Sequence, residues 1–162
     1  MKEEREEKEL TTYPPTPTGL TIFWLEVLER AHGGDEPAIA SKLRSLKLSP
    51  EHMAELFGPS QGARVYAEYE RAFEAFAEQA PTDLAQKIRE RRYDDVEIIE
   101  LSEQRPDQLL ANDKKTLAAL RTNTQLFNVR LKRSEEDGGI RIDTFAYLEG
   151  GWRAALKIGR LL

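Results

Sequence analysis

The sequence predicts an α+β fold, with N-terminal helices packed on a C-terminal, curved antiparallel sheet of about four strands. Through the first ninety residues, apolar side chains recur at steps of three and four, which is the period of an amphipathic helix. From residue 95 onward the apolar period changes to two, which indicates half-buried strands. Glycine-containing turns separate the last three predicted strands, so we expect these strands to form a meander.

We divide the chain into a disordered charged tail with a proline-rich linker, residues 1–17, and a single α+β domain, residues 18–162. The first nine residues are mostly charged and have no apolar face, and the stretch "TTYPPTPT" contains three prolines, which disfavour regular helix. Two interpretations of this segment stay open. It is either a solvated terminus or a tether to a membrane or a neighbouring domain.

Four or five helices are predicted before the first strand. Ser49-Pro50 indicates a helix start, because a capping hydroxyl precedes a proline at the first helical position. Ser60 is expected to open the next helix, whose apolar stripe is aromatic. Pro81 is expected to end that helix, because proline lacks the backbone N–H that a helix interior requires. A last helix is predicted over residues 83–92.

Four strands are predicted after the helices. Their sequences are "DVEIIEL" (95–101), "QLFNVRLKR" (125–133), "IRIDTFAYL" (140–148) and "WRAALKI" (152–158). Strict alternation in the third strand places Ile142, Thr144 and Ala146 on the apolar face and their neighbours on the other face. Trp152 is expected to anchor the core, because a large aromatic ring at an inward position usually does so.

Charge and composition exclude several classes of protein. The net charge is −5, divided into −9 over residues 1–112 and +4 over residues 113–162. A general nucleic-acid binder needs a dominant cationic face, so no nucleic acid is expected as a partner. No apolar run approaches the roughly 18 residues of a membrane span, so no direct membrane insertion is expected. Localisation stays open between cytoplasmic and, if a leader has been removed, periplasmic or membrane-tethered, as in a bacterial lipoprotein domain.

The sequence predicts no catalytic residue, no metal site and no cofactor. There is no cysteine, which excludes disulfides, thiolate metal sites and cysteine nucleophiles. His32 and His52 each lack a second ligand at metal-binding spacing, and we expect both to be exposed. Neither a nucleophile elbow around a serine nor a phosphate-binding glycine loop is present, and turns explain the glycine pairs.

Alternation along the last three strands places basic and aromatic side chains together on the face opposite the core. An outward polar face is often only solvated. Aromatic rings among arginines are, however, the composition that protein interfaces favour. The predicted binding residues are Arg130, Lys132, Arg141, Phe145, Tyr147, Arg153 and Lys157.

Helices followed by a strand meander that ends in "FAYLEGGWR" resemble the nuclear transport factor 2-like superfamily, whose fold is cystatin-like α+β. The resemblance covers mainly residues 95–160, and the helical segment 35–60 is additional to the family pattern. It implies a cone-shaped cavity between helices and sheet that binds a small molecule, hosts catalysis or is filled, and it implies dimerisation through the sheet. Isomerase-type members use a pocket acid with a hydrogen-bonding tyrosine, for which Tyr66, Tyr69 and Asp143 are the available residue types. Such a pocket would be lined by Trp24, Tyr66, Tyr69, Phe73 and Trp152.

These observations favour a non-catalytic binding or assembly module. Its basic-aromatic sheet face would contact a protein partner or a second copy of the chain as a homodimer. The alternative is a small-molecule-binding or isomerase-like pocket protein of the nuclear transport factor 2-like type. An interior cavity of several hundred cubic ångströms that contains ionisable groups would favour the alternative.

Overall fold

The computed structural model of the protein describes residues 13–162 and has the α+β class that the sequence predicts. Within these residues, four helices precede the first strand, and a fifth lies between the first and second strands. The helices are α1 (Pro17–His32), α2 (Glu36–Arg44), α3 (Pro50–Phe57), α4 (Pro59–Arg91) and α5 (Ala111–Ala119). Short 3₁₀ turns occupy Pro106–Gln108 and Ile158–Arg160.

The four strands form one antiparallel sheet in the order β1-β2-β3-β4, so the predicted meander is confirmed. Their bounds are β1 (Asp95–Glu100), β2 (Phe127–Lys132), β3 (Ile140–Leu148) and β4 (Gly151–Ala154). The second edge of β4 meets the chain after α2, where the Ala154 N–H donates to the Leu46 carbonyl at 2.7 Å. The sheet is thereby joined to the helical part through backbone hydrogen bonds.

Helix α4 runs through Pro81 without a break, so the predicted division into two helices is wrong. Proline removes only one hydrogen bond from a helix that spans 33 residues. The helix buries residues on both sides of the proline, among them Ala77, Leu84 and Ile88. Burial of this long apolar stripe outweighs the local cost of the proline, as tertiary packing commonly outweighs helix propensity.

Helix α3 begins as predicted at Ser49-Pro50. The cap of this helix also accounts for the position of His52. The Ser49 side chain accepts from the His52 N–H at 3.1 Å, while His52 Nδ1 accepts from the Ser49 N–H at 3.1 Å. This reciprocal pair is a capping box in which histidine replaces the usual glutamate. The expectation that His52 is exposed is wrong, because the capping geometry holds its ring in the buried part of the structure.

The described end of the predicted linker packs on the domain, whereas residues 1–12 of the tail lie outside the described residues. The Tyr13 hydroxyl donates to Glu26 of α1 and accepts from the Lys42 ammonium of α2 at 2.7 Å. Trp152 donates its indole N–H to the Pro14 carbonyl at 2.9 Å. Residues of α1, α2 and β4 therefore hold the segment that leads into α1. The burial of Trp152 confirms that it is a core residue.

Strand β3 carries one extra residue relative to β2. Val129 pairs with Ile142 and Phe127 pairs with Phe145, so two steps along β2 correspond to three along β3. Such a β-bulge reverses the alternation of side chains from that point onward. Phe145 consequently shares the inner face with Ile142 and is 0% exposed, so the expectation that it lies on the outer face is wrong. The prediction assumed that side chains alternate without interruption along this strand, and the bulge breaks that alternation.

The sheet is covered on both faces by the described residues, rather than by helices on one face alone. On the inner face, Trp24 of α1 meets Phe145 edge to face, with ring centroids 5.7 Å apart. On the opposite face, Asn128 of β2 donates to Asp113 of α5 at 3.1 Å. The helix α5 arises in a region, residues 103–116, whose pattern predicted only a loop with a short helix.

Strand β4 is shorter than the predicted 152–158 strand. Leu156 has a φ of 54°, a left-handed conformation that ends the extended chain soon after Ala154. The following residues turn towards α5 and approach it closely at Gly159. A Cβ atom at this glycine would lie 2.2 Å from the Asn112 carbonyl oxygen, so only glycine permits the approach.

We predict that Phe145 behaves in unfolding experiments as a core residue. Phe145→Ala should lower the free energy of unfolding by about 3–5 kcal/mol, because it leaves a cavity among close-packed aromatic rings. The milder Phe145→Leu should cost less and keep the protein folded. Urea denaturation followed by tryptophan fluorescence measures both. A loss of no more than about 0.5 kcal/mol for Phe145→Ala, the value typical of exposed positions, would contradict the inward placement.

Candidate functional site

A cleft of about 490 Å³ lies between α4, the edge of β3 and the chain segment that follows β4. It exists because β4 pairs only with residues 145–148 of β3, which leaves residues 141–143 without a strand neighbour on that side within the described chain. The early end of β4 at Ala154 thus opens the space. The apolar lining consists of Tyr69, Ala72, Phe76, Ile142, Ala155, Leu156, Ile158 and Leu161.

The polar floor of the cleft is formed by Arg141 and Asp143, and Arg141 is also bonded to the buried carboxylate of Asp113, which does not line the cleft. Arg141 donates from Nε to Asp143 Oδ1 at 2.8 Å and from its terminal nitrogen to Asp113 Oδ2. Asp113 is 1% exposed and Asp143 is 8% exposed, whereas Arg141 is 19% exposed. Burial by itself lowers the pKa of Arg141, but its hydrogen bonds to Asp143 and Asp113 raise that pKa above its usual value. Arg141 therefore stays charged and neutralises part of the acidic floor.

Further hydrogen bonds fix this ionic group to the fold. Asp113 accepts from the Leu110 N–H at the start of α5 at 2.8 Å and from the Asn128 amide. Thr144 donates its hydroxyl to Asn128 Oδ1 at 2.9 Å. Helix α5, β2 and β3 are therefore joined by one continuous polar network, and such networks hold their members in fixed positions when each is satisfied.

Asp143 retains an open oxygen. Its Oδ1 receives Arg141, while Oδ2 accepts no hydrogen bond from the described residues. Because Asp143 lines the cleft, this second oxygen is available to a hydrogen-bond donor that enters it.

The hydroxyl of Tyr69 is fully used by the backbone. It donates to the Ala154 carbonyl and accepts from the Leu48 N–H, both at 2.8 Å. Burial raises the pKa of this hydroxyl well above its ordinary value, and the hydrogen bond from Leu48 offsets only part of the increase. Tyr66 likewise donates to the Leu48 carbonyl at 3.0 Å. The predicted combination of a tyrosine donor with Asp143 is therefore not assembled, since both tyrosine hydroxyls donate to backbone carbonyls.

The predicted basic-aromatic face is dispersed over different parts of the molecule. Arg130 pairs with Glu97 across the β1–β2 ladder at 3.3 Å, and Arg141 is drawn into the buried network. Arg153 donates to the Ser45 carbonyl at 2.9 Å.

Neither predicted aromatic residue supplies the exposed centre of that face. Phe145 is in the core, and Tyr147 packs its ring edge to face on Trp152 at 5.5 Å between centroids. Lys132 remains half-buried at the end of β2, and Lys157 is exposed at the rim of the cleft. Of the seven predicted residues, only Arg141 and Lys157 belong to the cleft.

The predicted aromatic pocket is a filled core. Trp24, Tyr69, Phe73 and Trp152 are all at most 4% exposed, and only Tyr69 reaches the cleft. Tyr69 and Phe73 pack on each other along α4, and Trp24 packs edge to face on Phe145 of β3. Most of the apolar lining of the cleft was missed because no local pattern marks it, and Leu156 was assigned to a strand. Asp113, the buried partner of Arg141, lies in the stretch with ambiguous periodicity.

A second cleft of about 600 Å³ lies on the opposite face of the sheet, between β1, β2 and the 3₁₀ turn at 106–108. Its lining is mostly polar and includes the Arg130–Glu97 pair. The α4 cleft differs because its lining is mostly apolar around a few buried polar groups, which is the usual character of small-molecule sites.

The histidines serve structural contacts in the described chain. His32 Nε2 contacts the Tyr93 carbonyl at 2.7 Å, and His52 Nε2 contacts Glu149 at 3.3 Å. Within residues 13–162, no group of three histidine or carboxylate side chains is arranged to hold a metal ion. None of the helices described here combines the length and the apolar character needed to cross a membrane.

The chain matches no protein-family model, no curated protein and no solved structure. The resemblance to the nuclear transport factor 2-like superfamily therefore stays a prediction from the sequence, and the geometry of the cleft is the basis for any functional proposal.

We predict that the buried network depends on Arg141. Arg141→Met should lower the free energy of unfolding by about 3–5 kcal/mol, because two buried carboxylates lose their cation. Arg130→Met is the matched control. It removes the arginine of β2 that lies directly opposite Arg141 in the β2–β3 ladder, and loss of its partly exposed ion pair with Glu97 should cost at most about 1 kcal/mol. Equal losses in the two variants, measured by urea denaturation, would contradict the network.

We also predict that the protein loses stability at alkaline pH and that Tyr69 causes part of this loss. Because the pKa of Tyr69 is raised in the folded protein, its contribution is complete below the unfolded value of about 10 and is lost as pH rises above it. Between about pH 10 and 12, Tyr69→Phe should reduce the slope of unfolding free energy against pH by up to about 1.4 kcal/mol per pH unit. Unfolding curves at stepped pH measure this slope, and identical slopes would refute the assignment.

Proposed function

We propose that this protein is a small-molecule-binding module whose site is the cleft between α4 and the free edge of β3. The observation that carries the proposal is an apolar cleft of about 490 Å³ built around the buried Arg141–Asp143 pair. Sites for small molecules typically have volumes of about 300–1,000 Å³, with apolar walls and a few placed polar groups. The open oxygen of Asp143 supplies a group that would orient a ligand.

The contacts of the predicted binding residues give less support to a docking face on the sheet. Interface hot spots need exposed aromatic or arginine side chains near the centre of the contact. Phe145 is buried, Tyr147 is packed on Trp152, and the arginines of the sheet are held by Glu97, Asp113 and Asp143. The cleft therefore has the better support.

Binding without chemistry is the form of the proposal that the contacts support. Catalysis of the isomerase type needs a tyrosine donor beside a carboxylic acid, and the hydroxyls of Tyr66 and Tyr69 are bonded to the backbone. Asp143 is ion-paired with Arg141, which favours its role in orienting a ligand by accepting a hydrogen bond.

The cleft can be tested by filling it. A library of small fragments is screened by ligand-observed NMR against the wild-type protein and against Ala72→Trp, which places an indole in the cleft from α4. Ala67→Trp is the matched control, because Ala67 is also exposed on α4 but does not line the cleft. Both substitutions are at exposed positions and should change stability by no more than about 0.5 kcal/mol.

We expect fragments to bind the wild type and Ala67→Trp alike, and to bind Ala72→Trp at least about tenfold more weakly, a loss of 1.4 kcal/mol or more. In protein-observed methyl spectra of the wild type, chemical-shift changes should fall on the methyl groups of Ile142, Leu156 and Leu161. Fragments that bind all three proteins equally, or no binding at all, would reject the proposal.

A further inference from the structure

The rim of the α4 cleft carries two cations that no described carboxylate neutralises. Lys157 and Arg160 are exposed, line the cleft and form no ion pair with any residue in 13–162. Glu68 on α4 is the single acidic residue among the exposed members of the lining. The rim is therefore positive in a chain whose net charge is −5.

The position of these cations is set by the fold. Two residues lie between Lys157 and Arg160 in the chain, and both are held by the fold. Ile158 is buried, and Gly159 lies against the Asn112 carbonyl of α5, where a Cβ atom would not fit. Leu156, with its left-handed backbone, turns the segment out of the sheet just before Lys157. A cation on an anchored segment is more effective than one on a mobile tail, because less freedom is lost when it meets a ligand.

The floor of the cleft offers a hydrogen-bond acceptor. Arg141 is held between Asp113 and Asp143, and of these two carboxylates only Asp143 lines the cleft. The open Oδ2 of Asp143 accepts hydrogen bonds and donates none. A ligand that satisfies both ends needs a hydrogen-bond donor on the part that enters the cleft and an anionic group on the part that remains at the rim.

We propose that the cleft selects an amphipathic organic anion. The ligand has an apolar, ring-containing body that lies between Phe76, Ile142 and Leu156, a hydroxyl or N–H group that donates to Asp143, and a carboxylate or sulfonate at Lys157 and Arg160. This inference rests on the proposed function. An organic cation is disfavoured, because its charged end would meet the two rim cations.

The charge preference can be tested with two fluorescent probes that share one apolar body. Anilinonaphthalene sulfonate carries an aromatic body, an N–H donor and a sulfonate, and phenylnaphthylamine carries the same body and N–H without the sulfonate. Titration of each probe into the folded protein gives two dissociation constants. We expect the sulfonate to bind more tightly than the neutral probe, and the difference to shrink as salt is added.

The double variant Lys157→Glu/Arg160→Glu identifies the cations responsible. Binding of the sulfonate should weaken by about tenfold, the size expected when two exposed ion pairs become repulsive, while binding of the neutral probe stays unchanged. Lys114→Glu/Lys115→Glu is the matched control, because it changes the net charge equally at exposed positions that do not line the cleft. It should leave the binding of both probes unchanged.

The outcomes separate the two proposals. If neither probe binds, or if Ala72→Trp affects neither, the cleft is not a binding site and both proposals fail. If both probes bind and Ala72→Trp weakens both, but the rim variant does not discriminate between them, the cleft binds apolar molecules and only the anion preference is overturned. If the affinity for the sulfonate probe falls equally in the rim and control variants, the anion preference is also overturned. The loss then reflects the net charge of the protein and not the two rim cations.

Discussion

The extra residue in β3 is the constraint on which the rest of this structure depends. Before the bulge, Ile142 faces inward and Arg141 faces α5, and after it Phe145 faces inward where simple alternation would turn it outward. The added residue turns Phe145 into the core beside Trp24. Next to it, Arg141 and Asp143 are two residues apart in the chain and form an ion pair.

The ionic network joins the bulged strand β3 to α5 and borders the cleft. Two carboxylates and a guanidinium would be costly in an apolar interior if any member were unpaired. Here Asn128 and the cap of α5 add hydrogen bonds to Asp113, Thr144 bonds to Asn128, and Asp143 receives Arg141 on Oδ1. The helix thus packs on the sheet through polar contacts and not only through apolar surface. The same network gives the floor of the cleft a fixed polarity.

The long helix α4 and the short strand β4 together create the cleft. A strand extending to residue 158 would have paired along the whole of β3 and closed the edge that now lies open. Leu156 turns the chain away, and Tyr69 secures the remaining strand by bonding to Ala154 and Leu48. Hydrogen bonding that satisfies the strand edge also removes the tyrosine hydroxyl from any role in the cleft.

The sequence alone determined the order of helices and strands, the meander, the cap at Ser49 and the burial of Trp152, because periodicity and turn residues act locally. It did not determine the continuity of α4 through Pro81, the direction of Phe145 or the end of β4. Those features depend on surfaces that meet only after folding. Of the candidate site, Tyr69, Arg141, Asp143 and Lys157 were available to sequence reasoning, whereas their convergence was not. Asp113 holds Arg141 from 28 residues away in the chain, and no local pattern records such a contact.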